Sequence, residues 1–264
     1  PIFGTVAGTM LIFYFAYLKL PIYFLVLGYS VAWFSEALFS LIFVQKIIKN
    51  IIPIFDLNYL KKLIIEVWPF SSTLILNVIY FRADAFILQY FHPSSEVGIY
   101  NVAYQVFQAI LVLPTYIMNS FYPMMVETFR LSASQFASQI KGAAVALIFL
   151  SFLIFISVYF LSPLVIKIIA GGGFLGSITS LQILSLGFPA YFLSALLMWV
   201  MVTKRIYKKL LMIYALGLIF NIGANLIFIP QYSFFAASWI TVISEYFILI
   251  MQIIILRTTL LFSS

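Results

Sequence analysis

Residues 142–170 read GAAVALIFLSFLIFISVYFLSPLVIKIIA, and Lys167 is the only charged residue in this run. An α-helix rises about 1.5 Å per residue, so roughly 20 apolar residues cross the hydrocarbon core of a bilayer. The run exceeds that length with almost no charge. It therefore predicts a transmembrane helix whose side chains mostly meet lipid.

The remainder of the chain has the same composition. Of its 264 residues, 65% are hydrophobic and 8% are charged, whereas soluble domains contain about 25% charged residues. A globule of this length could not bury so much apolar surface, but lipid can act as its solvent. We therefore predict an all-α polytopic membrane protein with about eight transmembrane helices. The apolar runs place them at residues 2–18, 22–44, 63–91, 97–125, 142–170, 178–202, 210–229 and 234–256.

The basic residues of the connections sort by membrane side. Eleven Lys and Arg residues lie in alternate connections or at the C-terminus, and only Lys19 and Lys167 lie in the others. Because basic residues concentrate in cytoplasmic loops, we expect a multi-pass protein of the cell membrane with both termini of this chain in the cytoplasm. This sorting accounts for the net charge of +7, so no nucleic-acid partner is expected. The chain starts inside an apolar run without Met, which predicts a fragment lacking its first helices.

The longest basic connection is QKIIKNIIPIFDLNYLKK, residues 45–62. It combines four lysines with apolar residues, a composition that suits either an amphipathic segment in the headgroup region or a linker with snorkelling lysines. It also separates two blocks of predicted spans. The chain is therefore predicted to consist of two helices in residues 1–44 and six helices in residues 63–264.

Polar residues inside the spans are the candidate functional residues. A charge at the bilayer centre costs about 2.5–3.5 kcal/mol on insertion scales and usually faces a bundle interior or a watery cavity. Several polar residues recur on one helix face, where they either bond neighbouring helices or line a shared cavity. The number of such stripes favours the cavity. Its predicted lining is Asn77, Asp84, Asn101, Gln105, Gln108, Asn221, Asn225 and Glu245.

Arg82 and three acids have further candidate roles. Arg82 either reaches the outer headgroups, pairs with an acid on another helix, or lines the cavity as a phosphate contact, because its planar guanidinium can donate two parallel hydrogen bonds. The acids Glu36, Asp84 and Glu245 lie within spans and are candidates for binding a coupling proton or sodium ion.

Catalytic and metal-binding patterns are missing from the sequence. The single histidine, His92, has no second histidine or cysteine at metal-ligand spacing, and the chain has no cysteine. The triplet Gly171–Gly173 lacks the Lys-Ser/Thr of a phosphate-binding loop. We therefore predict a transporter without catalytic residues, bound metal or cofactor.

Three short runs resemble a known family. They are WPFS at 68–71, YFRADAFIL at 80–88 and EVGIYNVAY at 96–104. These runs resemble polysaccharide flippases of the Wzx/RfbX type, within the multidrug/oligosaccharidyl-lipid/polysaccharide exporter superfamily. The resemblance continues through LQIL at 181–184, Asn221, Asn225 and the turn IPQY at 229–232. Ser233 and Ala236 stand where the family often has glycine.

The resemblance implies a layout of two six-helix lobes, similar to that of multidrug transporters. Residues 1–44 would be the last two helices of the first lobe, residues 45–62 the cytoplasmic linker and residues 63–264 the second lobe. It also implies that the partners are membrane lipids and a polyprenyl-(pyro)phosphate-linked oligosaccharide. That substrate would be flipped to the outer leaflet by alternating access, for surface polysaccharide biosynthesis.

Two other functions compete with the flippase. A cation-coupled multidrug exporter of the same superfamily would favour an aromatic cavity with acids. A membrane enzyme acting on polyprenyl-linked glycan would need a large outer loop carrying acids, whereas the outer connections of this chain are short and Glu96 is their only acid.

Overall fold

The computed structural model describes residues 2–47 and 56–261. Within these ranges the chain is helical and has no β-strand, which confirms the predicted all-α class. A 3₁₀ turn at Gly172–Phe174 separates the fifth and sixth helices. The helices are α1 Ile2–Tyr17, α2 Ile22–Ile47, α3 Leu57–Phe91, α4 Ser94–Leu131, α5 Ala133–Ala170, α6 Gly176–Ser185, α7 Phe188–Thr203 and α8 Tyr207–Leu261.

The described helices include several that are long and apolar enough to cross a membrane. There are five of them, or six when the bent pair α6 and α7 counts as one span. Helix α8 is 55 residues long and is interrupted at Ser233, which has φ 51° and ψ −136°. This break lies between the predicted spans 210–229 and 234–256, so α8 supplies both. The chain is a multi-pass membrane protein.

The span predicted at residues 178–202 is occupied by two helices that are bent by 45° relative to each other. Helix α6 ends at Ser185 and α7 begins at Phe188. Pro189 has no N–H to donate to the carbonyl of Ser185, and this interrupts the helical ladder. Gly187 lies at the bend, where an added Cβ would stand 3.2 Å from the carbonyl oxygen of Leu184.

The chain divides into two compact units, Pro1–Lys61 and Lys62–Ser264. In the first unit, α1 packs closely on α2. A Cβ added to Gly8 would lie 2.2 Å from Cβ of Ala32, and one added to Gly28 would lie 2.9 Å from Cγ1 of Ile12. Small residues therefore let the two backbones approach, as is common between membrane helices.

Both ends of the predicted linker 45–62 are helical. Helix α2 continues to Ile47 and α3 begins at Leu57, while residues 48–55 lie outside the described ranges. Asp56 caps α3, because its Oδ1 accepts from the backbone N–H groups of Asn58 at 2.8 Å and Tyr59 at 3.1 Å. The assignment of residues 1–44 and 63–264 to two lobes stays a prediction.

The second unit has a core shared by α4, α6, α7 and α8. Tyr100 and Phe107 of α4 are fully buried together with Phe188 of α7, and the rings of Phe107 and Phe188 stack at 5.2 Å. Helix α5 covers one side of this core and leaves most of its apolar side chains exposed; Phe149, for example, is 72% exposed. This exposure agrees with the prediction that α5 mostly meets lipid.

Candidate functional site

The polar stripe of α3 faces the interior of the second unit. Thr73, Tyr80 and Asp84 are buried and Asn77 is half-buried. Their spacing places them on one face of a helix, and this is the face that packs against α4 and α8. The second half of α8 presents a matching buried stripe, consisting of Ser238, Thr241, Glu245 and Gln252.

Asp84 joins three helices through its carboxylate. The hydroxyl of Tyr100 on α4 donates a short hydrogen bond to Oδ2, and Thr241 Oγ1 on α8 lies 3.2 Å from the same oxygen. The other oxygen accepts from the backbone N–H of Ala85 at 2.7 Å. Both carboxylate oxygens therefore have partners, which is how a buried charge is normally accommodated. The sequence did not indicate that Tyr100 is a partner of Asp84.

Glu245 lies one helical turn beyond Thr241, in a pocket that has a volume of about 190 Å³. Asn77 and Tyr80 of α3 line the same pocket. The Tyr80 hydroxyl is buried and has no hydrogen-bond partner of ordinary geometry among the described residues. Of the eight predicted cavity residues, the structure brings Asn77 and Glu245 together here. Aromatic rings form much of the wall, and they come from Phe81, Tyr191, Trp199 and Tyr214.

Asn221 and Asn225 bond to each other inside α8. Asn225 Nδ2 donates to Asn221 Oδ1 at 3.0 Å, and Asn221 Nδ2 donates to Ser244 Oγ at 3.2 Å. The second bond crosses between the two halves of α8. These amides are buried and do not line the Glu245 pocket, so they act as interhelical contacts, the alternative that the sequence left open.

The amide stripe of α4 lies away from the buried core. Asn101 and Gln108 are half-buried and Gln105 is exposed, because a different face of the helix, about 100° away, carries the core residues Tyr100 and Phe107. Arg82 is also exposed and has no hydrogen bond or ion pair with another described residue. These four residues therefore do not converge on the Glu245 pocket.

Glu36 belongs to the first unit. It is half-buried beside a pocket of about 350 Å³, which is also lined by Gly8, Tyr29 and Trp33. Within residues 2–47 and 56–261, no three acidic or histidine side chains converge in a way that could hold a metal ion.

His92 connects the α3–α4 turn to the break in α8, a contact that the sequence did not reveal. Its Nε2 lies 2.8 Å from the carbonyl oxygen of Ile229, and its Nδ1 lies 3.2 Å from Oε2 of Glu96. The hydroxyl of Ser233, the non-helical residue of α8, also donates a short hydrogen bond to Glu96. These contacts tie the two turns at this end of the unit.

Replacing His92 with alanine is expected to loosen this end. The substitution removes one hydrogen bond to a carbonyl and one contact to a carboxylate, which together contribute about 1–2 kcal/mol. Hydrogen exchange measured by mass spectrometry should become faster in peptides around residues 90–98 and 228–236. Ser95→Ala, which removes an exposed hydroxyl beside the same turn, is the control. Equal exchange in the His92 variant and the control would contradict this role.

A comparison with protein-family models gives a match over the first part of the chain. Residues 2–129, just under half of the 264-residue chain, match the family described as "Polysaccharide biosynthesis protein". This segment includes Asn77, Arg82 and Asp84 but not Glu245. No curated protein matches the chain. The family resemblance is thus confirmed over this segment: residues 2–129 match the polysaccharide biosynthesis protein family, the family of Wzx-type polysaccharide flippases.

Proposed function

We propose that this protein moves a polyprenyl-(pyro)phosphate-linked oligosaccharide from the cytoplasmic to the outer leaflet of the cell membrane, for surface polysaccharide biosynthesis. The observation that carries the proposal is the exposure of Arg82 and Gln105 within two helices that are long and apolar enough to cross a membrane. Polar groups in such positions normally face a watery cavity. The match of residues 2–129 to a polysaccharide biosynthesis family supports a glycan as the cargo of that cavity.

In the proposed mechanism, polar side chains of the protein replace the water around the sugar. Sugar hydroxyls cannot enter hydrocarbon without losing hydrogen bonds, and the amides of Asn101, Gln105 and Gln108 would supply substitutes. Arg82 would contact the phosphate through its planar guanidinium. The lipid tail would remain in the bilayer. Alternating access would come from the rocking of two lobes, with residues 45–62 as the cytoplasmic linker and both chain termini in the cytoplasm.

Ion coupling is part of the same proposal. Glu36, Asp84 and Glu245 are the acids within spans, and each would lower the cost of bringing a proton or sodium ion into the membrane. If Asp84→Asn and Glu245→Gln proteins both flip substrate at the wild-type rate, these two acids do not couple transport to an ion.

The decisive test of the cargo is a strain that lacks this protein. It should accumulate lipid-linked glycan on the inner leaflet, and expression of the full-length protein should restore glycan to the outer leaflet. A normal level of outer-leaflet glycan in the deletion strain would refute the flippase function.

Arg82→Ala is expected to slow flipping at least tenfold. A bidentate charge-assisted bond contributes about 1.5–3 kcal/mol, and a tenfold change in rate corresponds to about 1.4 kcal/mol. The measurement is transfer of labelled lipid-linked glycan across proteoliposomes that contain the full-length protein. Arg82→Lys keeps the charge but loses the planar guanidinium with its two parallel donors, so its flipping rate should be intermediate. Lys141→Ala, which removes an exposed charge from α5, should flip as the wild type does; equal rates for Lys141→Ala and Arg82→Ala would disprove the contact.

Export of organic cations is the second candidate function, because the Glu245 pocket combines an acid with aromatic walls. Its volume of about 190 Å³ is smaller than the roughly 300–1,000 Å³ of pockets for drug-sized ligands. The pocket therefore favours a smaller group than a drug. Energised efflux of a cationic dye by the purified protein would support the exporter instead. We propose transport over glycan transfer, because the matched family consists generally of transporters.

A further inference from the structure

The two buried acids of the second unit differ in their surroundings. Asp84 already accepts hydrogen bonds from Tyr100 and from the backbone of Ala85. Glu245 is only 3% exposed but faces a pocket. The Tyr80 hydroxyl lies beside it without a hydrogen bond of ordinary geometry. Tyr80 is the donor nearest to the Glu245 carboxylate, and a buried carboxylate with so few donors is costly. The pocket beside it has room for a donor that is not part of the protein.

The walls of the pocket indicate which donor it suits. Tyr191 and Trp199 of α7 and Tyr214 of α8 present aromatic surface to the same space as Glu245. Aromatic faces attract an ammonium group through the quadrupole of the ring, and the carboxylate adds a full opposite charge. A hard inorganic cation would instead require a shell of oxygen ligands, whereas most of the surface of this pocket is apolar.

Neutral polar groups complete the pocket. The amide of Asn77 and the hydroxyls of Thr115 and Ser194 lie on its surface. Such groups hydrogen-bond hydroxyls and orient a ligand. The volume of about 190 Å³ suits one sugar ring rather than an extended chain. The residues therefore provide separate places for a positive charge, a ring and several hydroxyls.

We propose that the Glu245 pocket receives a positively charged amino sugar. The ammonium group donates to the Glu245 carboxylate, the ring lies against the aromatic walls, and the sugar hydroxyls bond to Asn77 and Thr115. This inference rests on the proposed glycan function and specifies one residue of the transported glycan by its charge. No covalent step is involved.

The test measures sugar binding to the purified full-length protein. Glucosamine, N-acetylglucosamine and glucose are titrated separately near pH 6, and binding is followed by calorimetry and by quenching of tryptophan fluorescence, to which Trp199 contributes. We expect glucosamine to bind at least tenfold more tightly than the two neutral sugars. This comparison uses the wild-type protein, so it does not depend on whether a variant folds.

A matched pair of variants assigns the site. Glu245→Gln keeps the shape of the side chain and should weaken glucosamine binding at least tenfold, whereas Glu127→Gln removes the charge of an exposed glutamate and should leave binding within twofold. Thermal unfolding of both variants checks that they are folded. Equal binding of all three sugars, no binding of any sugar, or loss of glucosamine binding in both variants would overturn the proposal.

Two further measurements distinguish the amino-sugar site from an inorganic-cation site and from the flippase function itself. Sodium chloride that abolishes glucosamine binding when potassium chloride does not would assign Glu245 to an inorganic cation and overturn the amino-sugar site. Flipping of a neutral lipid-linked glycan by the wild-type protein tests the transport function separately. The amino-sugar proposal can thus fail while the flippase function stands, and failure of all flipping would reject the function itself.

Discussion

Replacement of Asp84 by alanine is expected to reduce the free energy of unfolding by about 3 kcal/mol. The change removes the acceptor of the Tyr100 hydroxyl, and a buried donor that loses its only strong partner costs about 1–3 kcal/mol. It also removes the contact with Thr241, which ties α3 to α8. Since Asp84 connects α3 to two other helices, its loss should be the most damaging single change of a polar residue in the second unit.

Unfolding of the purified protein in detergent, followed by tryptophan fluorescence, measures this effect. Asp84→Asn keeps one oxygen acceptor and should lose less stability, while Tyr100→Phe removes the donor together with its need for a partner. In the Tyr100→Phe background, Asp84→Ala should therefore cost clearly less than it does alone. If the two substitutions are simply additive, the buried bond between these residues does not stabilise the fold.

Replacement of Gly8 by leucine is expected to separate α1 from α2. A Cβ at this position would already lie 2.2 Å from Cβ of Ala32 and 3.2 Å from its Cα. Because part of this contact is backbone, side-chain movement cannot relieve it. Overpacking of a well-packed contact costs about 1–3 kcal/mol and sometimes more, and we expect about 3 kcal/mol here.

Hydrogen exchange over residues 2–47 provides the local measurement. Exchange in these peptides should accelerate in the Gly8→Leu protein, while peptides of α7 remain protected. Gly142→Leu is the matched control, because a Cβ at that position of α5 meets nothing within 4 Å. Leucine also favours helix over glycine by up to about 1 kcal/mol, so the control should be neutral or slightly stabilised. Unchanged exchange in the Gly8 variant would show that α1 and α2 do not pack at this glycine.

The helical spans follow largely from hydrophobic runs. The exception is the bend between α6 and α7, which has a local cause. The run at 178–202 is predominantly apolar and contains no charged residue, so hydropathy alone gives one span. The sequence Gly187-Phe188-Pro189 is the signal for the bend, and hydropathy does not register it. The break at Ser233 was easier to predict, because the turn at 229–232 separates two runs that are each long enough to cross the bilayer.

The candidate site was predictable only in part. Helical spacing places Thr73, Tyr80 and Asp84 on one face, since the helical period alone determines which residues share a face. It could not determine which neighbour each face meets. Asn101 and Gln105 share a face of α4 just as regularly, yet that face lies away from the buried core.

The sequence by itself determined that this chain is helical, crosses a membrane several times and carries polar residues within its spans. These properties depend on composition and on a period of 3.6 residues, which are local. Only the tertiary structure decided that Asp84 is held by Tyr100 whereas Glu245 faces a pocket beside Asn77. Asn77 and Glu245 are far apart in the chain, and their meeting depends on how α3 and α8 rotate about their axes. That rotation is set by the packing of all the helices together, and it cannot be predicted from hydropathy.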